Sequence, residues 1–308
     1  MFKNVSPHFR AVFDVGAAPR ALFVTFLWST SWVLIKIGLE DIPPLTFAGL
    51  RYALAFVCLL PFAIRSRQLE SLRGLPVGTW ARLIALGLLF YAVTQGAQFL
   101  SLFYLPTVTS SLLLSFTIVI VALMGIFLLR ERPTAAQWIG AGLYLVGVLA
   151  YFYPVSLPGS QVTGLIVAGV GVLANALSSV LGRYVNRSDD LTPMTVTVVS
   201  MGIGAVVLLA VGIVVQGLPR LTLVSWAIIL WLAVVNSAFA YTLWNHTLRT
   251  LSAMESSIIN NTMLFQIAVL AWVFLGEKLT WREVIGMVLA ALGTLIVQIR
   301  KRQPQERD

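Results

Sequence analysis

The sequence is poor in cysteine, histidine and charged side chains. It has one cysteine, two histidines and 11% charged residues among 308, whereas a soluble protein carries about a quarter charged residues. The single cysteine, Cys58, excludes an intramolecular disulfide and a cysteine-based zinc site. So few charges cannot cover a water-exposed surface, and the mean hydropathy of +0.90 predicts an all-α integral membrane protein.

Motifs for catalysis and for cofactor binding are also missing. Histidine, aspartate and glutamate form no cluster at metal-ligand spacing, and the sequence has no HExxH, no GxSxG and no glycine-rich phosphate loop. We therefore expect no metal, no cofactor and no enzymatic activity. An intramembrane enzyme acting on a lipid-linked substrate would need such groups, and it is kept as one alternative to a transporter. A non-transporting membrane scaffold is the other.

The formal net charge of +9 does not indicate nucleic-acid binding, because the basic residues are spread over short loops rather than gathered on one face. They set the membrane orientation instead. With the amino terminus inside, sixteen of them fall on the cytoplasmic side and three, Arg220, Lys278 and Arg282, fall outside. Since cytoplasmic loops are enriched in Lys and Arg, both termini are predicted to be cytoplasmic.

Ten apolar segments are long enough to span a bilayer, which takes about 20 residues. Residues 1–19 are predicted to form a cytoplasmic amino-terminal arm, and residues 300–308 a cytoplasmic tail. The connections are short, and none can hold a soluble domain. The predicted spans are 20–39, 44–64, 80–104, 106–129, 136–153, 162–184, 193–216, 223–248, 253–275 and 281–299.

The second half of the chain repeats the first. Shifted back by 146 positions, residues 251–295 lie on residues 105–149 without a gap. The informative matches are polar or small: Ser110 with Ser256, Glu131 with Glu277, Gly140 with Gly286 and Gly147 with Gly293. Five helices is an odd number, so the second copy enters the membrane from the opposite face. The sequence therefore predicts two inverted five-helix repeats, 20–153 and 162–299.

Four stretches carry a family resemblance. They are Trp28-Ser-Thr-Ser-Trp32 with Lys36-Ile-Gly38, Pro44-Leu-Thr-Phe-Ala-Gly-Leu-Arg51, Ala240-Tyr241-Thr-Leu-Trp244, and Phe274-Leu-Gly-Glu277-Lys-Leu-Thr280. Together with the repeat, they resemble the drug/metabolite transporter superfamily, specifically the ten-helix EamA-type exporters, over nearly the whole chain. The resemblance implies transport and says little about the substrate. One departure is that the prolines which such proteins often carry in the fourth and ninth helices are here Ile118 and Leu264.

Six of the ten predicted helices present polar or aromatic faces. In lipid, such side chains are tolerated where they face other helices or a water-filled cavity, so a single serine can equally well join two helices. Gln95 and Gln98 fall in the outer half of the membrane and Tyr241 and Asn245 in the inner half, as the half-sites of an inverted repeat would. The predicted midplane solute pocket comprises Trp28, Ser31, Trp32, Arg51, Tyr91, Gln95, Gln98, Asn175, Tyr241, Trp244, Asn245, Asn260 and Asn261.

Arg51 has two interpretations. It lies about two turns inside the second predicted helix, where a bare charge costs at least a few kcal/mol. It could be a cavity cation that holds a substrate carboxylate. It could also be a packing residue that bonds backbone carbonyls or reaches to the outer surface. The resemblance does not decide between them, because an arginine here is common to the family whatever the substrate.

Residues near the helix ends have structural interpretations. Lys36 is expected to reach the headgroups, and Glu277 to form an ion pair in its turn. Capping boxes are predicted at Thr134–Gln137 and Thr280–Glu283. Glu255 and His246 are two weak candidates for a residue that couples transport to an ion. Each also has a structural interpretation, Glu255 as part of a capping box and His246 as a histidine that is hydrogen-bonded within the bundle.

The sequence therefore predicts a secondary transporter, working as an exporter by alternating access. Its expected partners are small polar organic solutes, amino acids or related metabolites, and the lipid bilayer. The expected location is a bacterial cytoplasmic membrane. Proton coupling stays open, as does the choice between a monomer and a homodimer.

Overall fold

The computed structural model describes residues 16–66, 70, 72, 74–117, 119–121, 124, 134–153, 159–187, 191–247, 251 and 253–298, a few of them by backbone alone. This part of the chain is helical and has no strand, as predicted. We number its helices α1 (Ala17–Gly38), α2 (Pro44–Arg65), α3 (Val77–Tyr104), α4 (Thr107–Ser115), α5 (Ala135–Phe152), α6 (Gly159–Arg187), α7 (Pro193–Gln216), α8 (Leu223–Trp231, Leu232–Phe239 and Ala240–Thr247), α9 (Ala253–Leu275) and α10 (Trp281–Gln298).

Six of the described helices are long and apolar enough to cross a membrane. They are α1, α2, α3, α5, α7 and the stretch Gln161–Gly182 of α6. The apolar helices α4, Leu223–Phe239 and Thr262–Leu275 are shorter. The prediction of an all-helical chain rich in membrane-spanning helices is confirmed, while ten crossings in two repeats stay a prediction.

Proline and glycine set several of the helix boundaries. Pro44 and Pro193 open α2 and α7 at the first helical position, where the missing N–H has no helical partner in any case. Gly217 ends α7 at φ 79°, a left-handed conformation that only glycine adopts without strain. The capping boxes predicted at Thr134–Gln137 and Thr280–Glu283 are both confirmed.

Helix ends and helix starts meet at one end of the bundle. Lys36, at the end of α1, contacts the carbonyl of Leu105 after α3. Glu277, after α9, contacts Thr107 at the start of α4. We refer to the end that carries these two contacts as the Glu277 end.

Two helices contain a π-helical segment at corresponding places. It covers Gly87–Thr94 in α3 and Leu232–Phe239 in α8, 145 positions further along. In each segment a hydroxyl donates to the carbonyl five residues earlier, Thr94 to Leu89 at 2.8 Å and Ser237 to Leu232 at 3.0 Å. Such wider turns change the direction in which the following side chains point, and they occur often at functional sites.

Glycines of α5 and α10 pack closely and join these two helices to each other. A Cβ added at Gly147 would lie 2.5 Å from the backbone N of Ala290, and one at Gly293 would lie 2.5 Å from the backbone N of Tyr144. No side chain fits between backbones this close. Small residues at a crossing allow such an approach in membranes, where packing rather than the hydrophobic effect drives association.

Candidate functional site

A buried arginine lies between α2, α3 and α8. Arg51 is 4% exposed, and its Nε donates to the Ser237 Oγ at 3.2 Å. Its guanidinium carbon lies 5.1 Å from the ring centre of Tyr52 and 6.0 Å from that of Phe99. Among the described residues, Arg51 has no carboxylate and no backbone carbonyl as a partner. Its charge is therefore held by one hydroxyl and by the faces of two aromatic rings.

Tyrosine and amide side chains complete this group, which we call the arginine cluster: Arg51, Tyr52, Tyr91, Gln95 and Ser237. The Tyr52 hydroxyl donates to Gln95 Oε1 at 2.6 Å, and the rings of Tyr52 and Tyr91 meet edge to face at 5.6 Å. All five side chains are buried. Both π-helical segments contribute, because Tyr91 and Ser237 lie within them and Gln95 follows directly.

A second group, the tryptophan cluster, joins α1 to α8: Trp28, Tyr241 and Trp244. The Trp28 ring lies 5.2 Å from the rings of both Tyr241 and Trp244, tilted by 53° and 52°. Its Nε1 donates to the backbone carbonyl of Asn236 at 3.1 Å. These three predicted pocket residues are half-buried.

Asn236 is a buried polar residue that the sequence analysis missed. Its Nδ2 donates to the Leu27 carbonyl and, at 3.3 Å, to the Thr30 hydroxyl. Its Oδ1 is buried and has no hydrogen-bond partner among the described residues. A buried acceptor without a donor costs roughly 1–3 kcal/mol, so this oxygen is a position where a ligand or a water could be accepted.

The two clusters adjoin. Trp28 Nε1 donates to the backbone carbonyl of Asn236, and the next residue, Ser237, accepts from Arg51 Nε. Residues of α1, α2, α3 and α8 meet here, one cation beside three tyrosines, two tryptophans and two amides.

Other predicted pocket residues have different surroundings. Trp32 is 9% exposed and packs in an apolar core with Phe47 and Phe99. The Ser31 hydroxyl bonds the carbonyl of Trp28 in its own helix at 2.6 Å. Gln98 is half-buried and Asn260 is exposed. The half-buried Asn175 of α6 donates to Oγ1 of Thr117, two residues after α4, at 3.2 Å. The side chains of Asn245, His246, Glu255 and Asn261 lie outside the described part of the structure.

Gln266 of α9 forms a polar contact that was not predicted. It accepts from Ser29 at 2.9 Å and donates to Thr25 at 3.3 Å, both on α1, and it donates to Thr262 at 3.0 Å. This network links α1 to α9, next to the tryptophan cluster on the same helix. A glutamine in an otherwise apolar stretch was the available signal. Likewise Tyr52, adjacent to Arg51, and Asn236, adjacent to Ser237, could have been found from the polar residues beside them.

Two predictions about the helix ends were wrong. Lys36 does not extend to the headgroups, because its Nζ donates to the carbonyls of Leu102 and Leu105, at 2.5 and 2.9 Å. Glu277 was expected to pair with a cation in its turn. Instead its carboxylate accepts from the backbone N–H groups of Thr107 and Val108, at 2.7 and 3.2 Å. Both charges satisfy backbone groups at the junction of α3 and α4, which water cannot do inside a bundle.

Comparison with known proteins identifies the kind of protein to which this site belongs. The profile of the EamA-like transporter family matches residues 18–153 and again 162–299. Protein PecM of Dickeya dadantii is 27% identical over 281 residues, 90% of this chain and 91% of that protein. The probable amino-acid metabolite efflux pump of Salmonella typhimurium is 27% identical over 291 residues, 90% of this chain and 92% of that protein.

A solved crystal structure shares the fold, with a TM-score of 0.66 and 18% sequence identity over 91% of this chain and 96% of that one. The resemblance inferred from the four sequence stretches is thus confirmed by a family match that covers both halves of the chain. With its apolar helices, the chain is a multi-pass membrane protein of the drug/metabolite transporter type, and it belongs to the EamA-like transporter family.

Proposed function

We propose that this protein is a secondary transporter that exports amino acids or related carboxylate-bearing metabolites by alternating access. The solute binds at the arginine and tryptophan clusters. The family and its relatives are transporters, and the relative in Salmonella typhimurium is a probable amino-acid metabolite efflux pump. The proposed location is the cytoplasmic membrane of a bacterium, with both termini inside, since that orientation places most basic residues in the cytoplasm.

The two halves, 20–153 and 162–299, are proposed to be inverted repeats that cross the membrane ten times. The crossing of α5 and α10 supports a twofold relation. A Cβ added at Gly147 would lie 2.6 Å from the Gly286 carbonyl oxygen, and one at Gly293 would lie 2.6 Å from the Gly140 carbonyl oxygen. Exchanging the repeats converts the first contact into the second, as an isologous interface requires. The π-helical segments of α3 and α8, at equivalent places, support the same relation.

The proposed substrate class rests on the hydrogen-bond partners of Arg51. Its Nε is bonded to Ser237, while its terminal nitrogens have no hydrogen-bond partner among the described residues. A buried charge is costly without a counter-charge. A solute carboxylate would supply that charge, and arginine binds carboxylates through two parallel N–H bonds. Tyr241, Trp28 and Trp244 would then contact the rest of the solute.

Transport by the purified protein in proteoliposomes tests this proposal. We expect saturable exchange of radiolabelled amino acids, and preference for each amino acid over the amine that lacks its carboxylate. Arg51→Gln should reduce that preference by about tenfold or more, since a charge-assisted hydrogen bond contributes about 1.5–3 kcal/mol. The preference is a ratio, so it does not depend on how much of the variant folds.

Arg65→Gln, at the exposed end of α2, is the matched control and should keep the wild-type preference. If Arg51→Gln folds and transports with an unchanged preference for the carboxylate, Arg51 has only a packing role. If wild-type protein moves no solute of the panel, the chain is better explained as a scaffold.

A further inference from the structure

A cavity with both polar and apolar lining residues lies at the Glu277 end, apart from the arginine and tryptophan clusters. Its volume is about 500 Å³, and it is lined by residues where α4, α6 and α10 begin and where α5 ends. None of its lining residues belongs to either cluster. The proposed transport site does not use this cavity.

A pair of hydroxyl groups lies in the wall of this cavity. Thr109 Oγ1 and the Tyr151 hydroxyl are 3.1 Å apart and share one hydrogen bond between α4 and α5. Both residues are 7% exposed. Each hydroxyl can donate one bond and accept others, so the pair keeps capacity for a further polar partner.

Opposite charges from consecutive residues line the same cavity. Glu283 is half-buried, and its Oε2 accepts from the backbone N–H of Thr280 at 2.6 Å, so its Oε1 is left as an acceptor. Arg282 is exposed and makes no hydrogen bond or ion pair with another described residue. The Gln161 amide, also in the lining, has no side-chain partner in the described part of the chain. The cavity therefore offers a cation, an anion and a neutral amide.

Exposed aromatic residues line the cavity opening. Trp281 is 83% exposed and Tyr153 is 69% exposed, and both contribute to the lining. Tryptophan and tyrosine at the ends of membrane helices prefer the depth of the lipid headgroups. The cavity thus opens where both headgroups and dissolved solutes can reach it.

We propose that this cavity binds a group with a primary ammonium next to a carboxylate or phosphate. Glu283 accepts from the ammonium and Arg282 donates to the anion, while the hydroxyl pair and Gln161 take the remaining bonds. Two sources carry this chemistry: the ethanolamine headgroup of a phospholipid and a free amino acid. With both termini in the cytoplasm, as in the proposed function, the cavity faces outward, and this direction rests on that proposal. The proposed ligand chemistry does not depend on the orientation.

Thermal stabilisation of the purified full chain in detergent tests the ligand class, because a ligand that binds only the native state raises its melting temperature. The lipid probes are short-chain phosphatidylethanolamine, phosphatidylcholine and phosphatidylglycerol. The amino-acid probes are glycine and phenylalanine, measured in the Arg51→Gln background so that the arginine cluster does not contribute. We expect stabilisation by phosphatidylethanolamine or by the amino acids. The choline lipid lacks ammonium N–H groups and the glycerol lipid lacks the cation, so both should be weaker.

Two isosteric variants test the residues. Arg282→Gln and Glu283→Gln should each weaken the apparent affinity for the stabilising probe by about tenfold, since each removes one charge-assisted interaction. Glu283→Gln keeps the helix cap, because Gln137 makes the same cap at the equivalent position of α5. Lys278→Gln, an exposed residue of the same turn outside the lining, is the control and should bind like wild type.

The outcomes separate the two sources and the alternatives. Stabilisation by the ethanolamine lipid alone assigns the site to a headgroup, and stabilisation by amino acids alone assigns it to the solute. The proposal is overturned if no probe stabilises the protein, if phosphatidylglycerol is as effective as phosphatidylethanolamine, or if the two variants bind like wild type. Flux that depends on Arg51 is a separate measurement, so failure here leaves the proposed function standing.

Discussion

At the scale of single residues, the bond between Tyr52 and Gln95 decides how the arginine cluster is arranged. The Tyr52 hydroxyl and Gln95 Oε1 are 2.6 Å apart, and both residues are buried. Side-chain hydrogen bonds between membrane helices contribute about 0.6 kcal/mol on average and up to about 1.7. The Tyr52–Gln95 bond joins α2 to α3 beside Arg51.

A double-mutant cycle of Tyr52→Phe and Gln95→Leu should therefore show a coupling free energy of unfolding of about 0.5–2 kcal/mol. Unfolding of the detergent-solubilised protein by a denaturing detergent is the measurement. Tyr104→Phe paired with Gln95→Leu is the control, because Tyr104 donates no side-chain hydrogen bond in the described part and should give no coupling. If the changes in unfolding free energy caused by Tyr52→Phe and Gln95→Leu simply add in the double mutant, the hydrogen bond between these two side chains is absent.

At the scale of secondary-structure elements, the α3–α4 junction is held by two charges of opposite sign. Lys36 binds carbonyls where α3 ends, and Glu277 binds amides where α4 begins. The order is that of the helix dipole, cation at the carboxyl end and anion at the amino end. Glu277 comes from the α9–α10 turn, so this cap connects the two halves matched by the family profile.

Glu277→Ala should destabilise the protein by about 1–3 kcal/mol, because it removes the acceptor of two α4 amides. Glu277→Gln keeps one amide oxygen as an acceptor and should cost less. The melting temperature in detergent is the readout, and Lys278→Ala, exposed in the same turn, should leave it nearly unchanged. Equal effects of Glu277→Ala and Lys278→Ala would mean that the cap contributes nothing to stability.

At the scale of the whole molecule, the α5–α10 crossing is a contact that both proposed repeats share equally. Gly147→Ala places its Cβ 2.5 Å from the Ala290 nitrogen, and Gly293→Ala places its Cβ 2.5 Å from the Tyr144 nitrogen. Both clashes are with backbone, so the helices must separate, at a cost of about 1–3 kcal/mol or more. If the repeats are related by a twofold axis, the two variants should lose similar stability.

Gly142→Ala is the matched control for this crossing. It lies in the same helix, and a Cβ there meets nothing within 4 Å. Alanine is a better helix former than glycine, so this variant should be neutral or more stable by up to about 1 kcal/mol. Unequal losses for Gly147→Ala and Gly293→Ala, measured by melting in detergent, would contradict an equal role of the two repeats.

Much of the helical architecture followed from the sequence alone, since runs of apolar residues form helices locally and Pro44 and Pro193 limit where two of those helices begin. The two capping boxes also followed from the sequence, because the two residues of each box lie within four positions of each other. The family could also be identified from the sequence, because its motifs are continuous stretches of residues. Pocket residues such as Trp28 and Tyr241 could be proposed from the polar faces of single helices, but not paired.

Only the tertiary structure determined which residues far apart in the chain are in contact. Glu277 caps a helix 170 positions earlier, Lys36 bonds the end of α3, and Asn236 bonds Leu27 of α1. In a membrane, any buried polar group needs a partner, and periodicity shows that a partner exists without showing which one. The helix packing makes that choice, because it determines which backbone ends and which side chains come within hydrogen-bond distance.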